Sequence, residues 1–205
     1  GGLIGGIFYF SVMVNTWLKV YNALQFVGWA TFFIAAANHG FAVEGWVLWL
    51  LNLVQLAALL EIAHAALGWV RSPVMATLPQ VASRVFVLML INFIDRGQLI
   101  HLANIDGIQL CAFAWGFTET VRYGYFSLLL TARVPRWLTW LRYSTFIVLY
   151  PTGVTGEVLV MLSWVALFRN GITPWAVAIA LILLLYLIFF PRLYGYMWKQ
   201  RRKKV

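Results

Sequence analysis

The chain has 205 residues, 63% of them apolar and only 10% charged, with 15 lysines and arginines against six acids and a net charge of +9. A soluble domain carries roughly a quarter charged residues, so the composition excludes a water-soluble globular fold and specifies an integral membrane protein. The basic balance fits attraction to membrane lipids with anionic headgroups better than nucleic-acid binding, and the single cysteine, Cys111, excludes an intrachain disulfide.

The opening GGLIGGIFYFSVMV is apolar but lacks a basic n-region and a small-x-small cleavage site, so it does not read as a signal peptide. A spanning helix needs about 20 mostly apolar residues. On that basis six spans are expected, at 17–37, 46–69, 76–94, 106–130, 138–168 and 174–195. The segments between them, NHGFAVEG, VRSPVMA, DRGQLIHLANI, TARVPRW and RNGITP, are short and carry turn chemistry. No repeat, soluble domain or low-complexity tract interrupts them. The expected fold is therefore all-α, one six-transmembrane-helix bundle over residues 1–205, with any site lying among the helices.

With six spans both termini share a side. That side would hold Lys19, Arg71, Arg133, Arg136, Lys199 and the tail RRKK, against Arg96 and Arg169 opposite. The positive-inside rule then places both ends in the cytosol. Trp17, Trp46, Trp69, Trp137 and Trp175, near span ends, suit an interfacial aromatic belt.

Ionisable groups at membrane depth cost about 2.5–3.5 kcal/mol each on insertion scales. Glu61, Glu119 and Glu157 fall at that depth, and Arg84, Arg122 and Arg142 are the cations in or near the spans. Glu119 lies three residues before Arg122, so the two share a helical face and can pair. Glu61 and His64 have the same spacing and read as a supporting polar network, with catalysis as the alternative. Arg142 is expected to join Arg122 in holding the helices in register through Glu119.

Glu157, in LYPTGVTGE, has no basic residue three or four positions away. Seven residues return a helix to within about 20°, so Tyr143, Tyr150 and Glu157 share a stripe, with Arg142 and Gly153 close beside it. Pro151 cannot donate the bond that the Ile147 carbonyl would accept. Gly153 and Gly156 leave room for a neighbouring helix or a ligand. Two readings stand side by side: a kinked helix packed through glycines, or a phenol and a carboxylate that exchange protons with a substrate.

Other chemistries lack their residues. His39, His64 and His101 are scattered, so no metal site and no cofactor is expected. Asp95 and Asp106 sit at loop edges, which does not suit an aspartyl intramembrane protease, and no Gly-rich phosphate loop is present. A cysteine phosphatase needs an arginine six residues after its cysteine, and that position is Phe117.

The blocks WLKVYNALQFVGWA, LLEIAHAALGWVRSPVMATLPQVASRVF, WGFTETVRYGYFSLL and WLRYSTFIVLYPTGVTGEVLVM, over residues 17–168, resemble the very-long-chain (3R)-3-hydroxyacyl-CoA dehydratases of fatty-acid elongation, the plant-type members above all. The resemblance implies a six-span, multi-pass enzyme of the endoplasmic reticulum with both ends cytosolic. It also implies a catalytic tyrosine and glutamate in a YPxGxxxE-type motif, which here fall on Tyr150 and Glu157. The tail RRKKV departs from a dilysine retrieval signal, having Arg202 where lysine is wanted.

The implied reaction removes water from a 3-hydroxyacyl thioester, with Glu157 as base at C2 and Tyr150 as donor to the leaving hydroxyl, or the reverse. Arg71, Arg133, Arg136 and Lys199 are candidate contacts for the coenzyme A phosphates. Tyr143 and Gly153 would line the way inward to an apolar tunnel for the acyl tail. The condensing enzyme and reductases of elongation are the expected partners. The rival readings are a silent scaffold of those enzymes, and a small transporter or lipid-binding protein relaying protons through its glutamates.

Overall fold

The computed structural model describes residues 2–70, 72, 74–168 and 173–205. Helix α1 (Gly2–Asn38) ends in a turn at Gly40 and Phe41, both at positive φ. Helices α2 (Gly45–Ala57) and α3 (Leu60–Ala66) follow. They replace the expected continuous span 46–69, because Ala58 and Leu59 bond back three residues to Gln55 and Leu56 and tighten the ladder. Helix α4 (Val74–Phe93) leads into a short 3₁₀ turn (Arg96–Gln98) and a two-residue hairpin, β1 (His101–Leu102) against β2 (Ile105–Asp106).

Helix α5 (Gly107–Thr131) starts on a capping box. The Asp106 carboxylate accepts from the Gln109 amide, and the Gln109 side chain accepts from Asp106 N–H. The expected span 138–168 is two helices, α6 (Arg136–Ser144) and α7 (Phe146–Leu167), joined at Thr145. Helix α8 (Pro174–Lys204) starts on a Thr173 cap with Pro at its first turn and carries the basic tail as helix past residue 195.

Four helical stretches are long and apolar enough to cross a membrane: Ser11–Asn38, Gly45–Ala66, Phe146–Leu167 and Pro174–Lys204. The fold is thus an all-α membrane protein. Helix α5 is about 37 Å long at 1.5 Å per residue but carries Glu119 and Arg122 in its middle, and it is the helix most enclosed by others. It packs most extensively against α1 and α7. Trp29, Phe32, Trp115, Tyr123, Val160 and Met161 are buried there. By contrast α8 fully buries only Ile179 and presents leucines outward, as a lipid-facing helix does.

The α5–α7 seam is set by backbone contact. A Cβ on Gly156 would lie 2.7 Å from the Gly107 carbonyl oxygen and 2.8 Å from the Cys111 nitrogen, so only glycine lets the two helices approach this closely.

Candidate active site

Helix α7 holds Glu157 at mid-length, facing both α5 and α8. Its carboxylate is buried. One oxygen, Oε1, accepts from Trp115 Nε1 on α5 at 2.9 Å, and Oε2 accepts from the Tyr186 hydroxyl on α8 at 2.5 Å. Glu157 thus makes no ion pair among the described residues, and a nearby cation, Arg84, stands behind the Trp115 ring. Both of its hydrogen-bond donors are neutral.

Tyr150 lies about 10 Å along the helix axis from Glu157, at 1.5 Å per residue. Its ring stacks on Phe190 at 5.1 Å and on Tyr194 at 6.1 Å. No hydrogen bond joins Tyr150 to Glu157 among the described residues. The shared stripe thus becomes a shared neighbour: Tyr186, Phe190 and Tyr194 recur every four residues on α8 and meet Glu157 and Tyr150 in antiparallel order. Tyr143 parts from this stripe. The helix is interrupted at Thr145, and Tyr143 packs edge-on against Tyr125 of α5 at 6.0 Å instead.

The chain continues as helix through Pro151. The carbonyl of Ile147, which the proline cannot serve, accepts from the Tyr194 hydroxyl at 3.3 Å. Gly153 is occupied by helix packing: an added Cβ would lie 3.3 Å from the Ala114 Cβ.

The remaining charges form a separate network beside α5. The Glu119 carboxylate takes the Arg84 guanidinium on one oxygen and Arg122 Nε at 2.5 Å on the other. Arg122 also binds Glu61 through both terminal nitrogens, at 3.0 and 2.7 Å, and the Tyr123 hydroxyl donates to Glu61. Two guanidiniums and two carboxylates cancel, which is how such groups persist among apolar helices. The expected Glu61–His64 pair does not form. Glu61 turns to Arg122 and Tyr123, while His64 Nε2 accepts from Trp17 Nε1 at 2.8 Å and its ring stacks on Trp69. Nor does Arg142 reach Glu119 as an ion pair; its guanidinium lies 5.9 Å from the Phe126 and Tyr143 rings.

Arg84 links network and candidate site. Its guanidinium is 5.6 Å from the centre of the Trp115 ring whose N–H binds Glu157. Sequence reasoning missed Trp115 and Tyr186. The visible signal for Tyr186 was a lone phenol in the aliphatic run ALILLLYLIFF.

Of the candidate phosphate contacts, Arg133, Arg136 and Lys199 are exposed, and Arg71 lies outside the described residues. Arg201 Nε donates to Ser144 Oγ at 3.1 Å, which brings the basic C-terminal end of α8 beside the C-terminal end of α6. Among the described residues no group of three or more His, Cys, Asp or Glu side chains is arranged to hold a metal ion.

Comparison with known proteins gives a consistent result. Residues 55–205 match the family described as protein tyrosine phosphatase-like protein, PTPLA. The chain is 35% identical to the very-long-chain (3R)-3-hydroxyacyl-CoA dehydratase hpo-8 of Caenorhabditis elegans, over 93% of this chain and 94% of that protein. It is 34% identical to the very-long-chain (3R)-3-hydroxyacyl-CoA dehydratase PASTICCINO 2 of Arabidopsis thaliana, over 95% of both chains. Identity to the very-long-chain (3R)-3-hydroxyacyl-CoA dehydratase PASTICCINO 2B of rice is 41%, over 72% of this chain and 68% of that protein. No solved structure matches.

Proposed function

The chain belongs to the protein tyrosine phosphatase-like (PTPLA) family, and on that premise we propose that it removes water from a very-long-chain (3R)-3-hydroxyacyl-CoA to give the trans-2-enoyl-CoA. This is the dehydration step of fatty-acid elongation. The observation that carries the site assignment is the contrast on α7. Glu157 is buried and held by two neutral donors, whereas the Tyr150 hydroxyl makes no hydrogen bond among the described residues.

Two neutral donors, one on each carboxylate oxygen, suit Glu157 to the role of base. Exclusion of water strengthens a carboxylate for general acid–base work. Glu157 removes the C2 proton, the C2–H electron pair becomes the C2–C3 π bond, and the C3–O bond breaks. Tyr150 gives its phenolic proton to the departing hydroxyl, which leaves as water. The water released between the two side chains carries the proton from Glu157 back to the Tyr150 phenolate, which restores the enzyme. The apolar surroundings of α7 and α8 take the acyl tail. The coenzyme A head stays at the basic end, near Arg133, Arg136 and Lys199.

The bundle crosses the endoplasmic reticulum membrane six times in this reading: α1, α2 with α3, α4, α5, α6 with α7, and α8. Both termini and the basic end face the cytosol, where the condensing enzyme and reductases of elongation would exchange intermediates with it. The test is turnover of a purified, detergent-solubilised chain on a very-long-chain 3-hydroxyacyl-CoA. General acid–base groups contribute about 10²–10⁴-fold, so Tyr150→Phe and Glu157→Gln should each lose activity on that scale. Near-wild-type turnover in either variant removes that residue from the chemistry.

A further inference from the structure

We propose that Tyr186 is a positioning residue for the dehydration, holding the Glu157 carboxylate in the orientation that removes the C2 proton. The inference rests on Glu157 being the base, as argued above. It brings α8 into a site otherwise assigned to one nine-residue motif on α7.

The argument is geometric. A glutamate side chain has three rotatable bonds, and a base must hold one lone pair on the proton it removes to be effective. Glu157 gets its orientation from outside its own helix. Trp115 Nε1 fixes Oε1 from α5, and the Tyr186 hydroxyl fixes Oε2 from α8. Each carboxylate oxygen has two lone pairs, so either can still take a proton while the clamp remains closed. Tyr186 therefore holds the carboxylate without consuming its basic capacity. A phenol donating to a carboxylate makes an O–H···O⁻ bond, which belongs to the strong, charge-assisted class.

The two phenols divide the work. Tyr186 spends its hydroxyl on Glu157, whereas Tyr150 is held by its ring face, against Phe190 and Tyr194, and keeps its hydroxyl uncommitted. The same face of α8 thus holds both reacting side chains, one by hydrogen bond and one by stacking. Of the aromatic residues of α8, Tyr186, Phe190 and Tyr194 lie four residues apart and are the ones that meet Glu157 and Tyr150.

The experiment compares Tyr186→Phe with wild type on a 3-hydroxyacyl-CoA and on its C2-deuterated form. Where an outer partner orients a metal-bound side chain its loss costs about 10–100-fold, and the orienting role of Tyr186 is of the same kind. The expected result is a fall of about that size in kcat, with KM within about twofold and a larger C2 isotope effect, because proton removal becomes more fully rate-limiting. Phenylalanine preserves the ring, and an unchanged melting temperature in detergent verifies the fold. Glu157→Asp and the double variant Glu157→Asp/Tyr186→Phe complete the set. Aspartate withdraws the carboxylate by one methylene from the Tyr186 hydroxyl, so the double variant should be no slower than Glu157→Asp alone. Wild-type kcat in Tyr186→Phe overturns the proposal. So does a loss that simply multiplies with that of Glu157→Asp, or one confined to KM. An active Glu157→Gln would instead overturn the assignment of Glu157 itself, so the two failures are distinguishable.

Discussion

Glu119 and Glu157 are both buried carboxylates in apolar helices, yet their surroundings differ in kind. Glu119 is bracketed by two guanidiniums, and Glu157 by an indole and a phenol. The first arrangement neutralises a charge, and the second leaves it available. Removing a member of a buried ion cluster strands its partner at a cost of about 3–5 kcal/mol. Arg122→Ala would leave Glu61 without a cation and Glu119 with Arg84 alone, and should therefore lower thermal stability in detergent markedly. Glu157→Gln strands no counter-charge and should unfold near the wild-type temperature while losing turnover. The Glu119–Arg122 pair was legible in sequence because both partners lie on one turn. Glu61 was misassigned to His64 for the complementary reason: equal spacing offered a local partner, and the stronger partner came from α5.

Among elements, α7 was readable in detail and α8 hardly at all. Tyr150, Gly153, Gly156 and Glu157 announce themselves as departures from an apolar run, and so does Pro151. In α8 the decisive residues are aromatic and sit among other hydrophobic ones, so the one signal is the hydroxyl of Tyr186, far weaker than a charge or a helix breaker. The break at Ala58–Leu59 was hidden in the same way, since no Gly or Pro marks it. Glycines on the α5–α7 seam give the sharpest element-level prediction. Gly156→Leu would drive a side chain into the Gly107 carbonyl and the Cys111 nitrogen. Overpacking of this sort costs typically 1–3 kcal/mol, more where backbone must yield, and would displace Glu157 on the next residue. Both melting temperature and turnover should fall, whereas Gly195→Ala on α8, with open space around it, should change neither.

At the scale of the molecule, hydropathy and charge were enough for class and for a strongly basic tail. They could not show that α5 is the axis of the bundle, because its central charges make it look the least suited to lipid. The proposed topology is testable with single reporter cysteines in a Cys111→Ser background. Cysteines at Val205 and Arg133 should react with an impermeant maleimide in sealed microsomes from the cytosolic side, and one at Asn104 only after permeabilisation. Labelling of Asn104 without permeabilisation would invert or reduce the number of passes. Charge reversal at Arg133 with Arg136 should raise KM for the coenzyme A thioester and leave kcat close to wild type.

The two bonds from α8, Tyr194 to the Ile147 carbonyl and Tyr186 to Glu157, have a bearing on how the protein is made. Ribosomes deliver α7 before α8, so for an interval the nascent segment carries a bare carbonyl and an incompletely satisfied carboxylate. Such a segment is a poor substrate for release into lipid. Its lateral exit from the insertion machinery should wait for α8, and a transcript stopped before Pro174 should yield a product that quality control removes rather than a stable fragment.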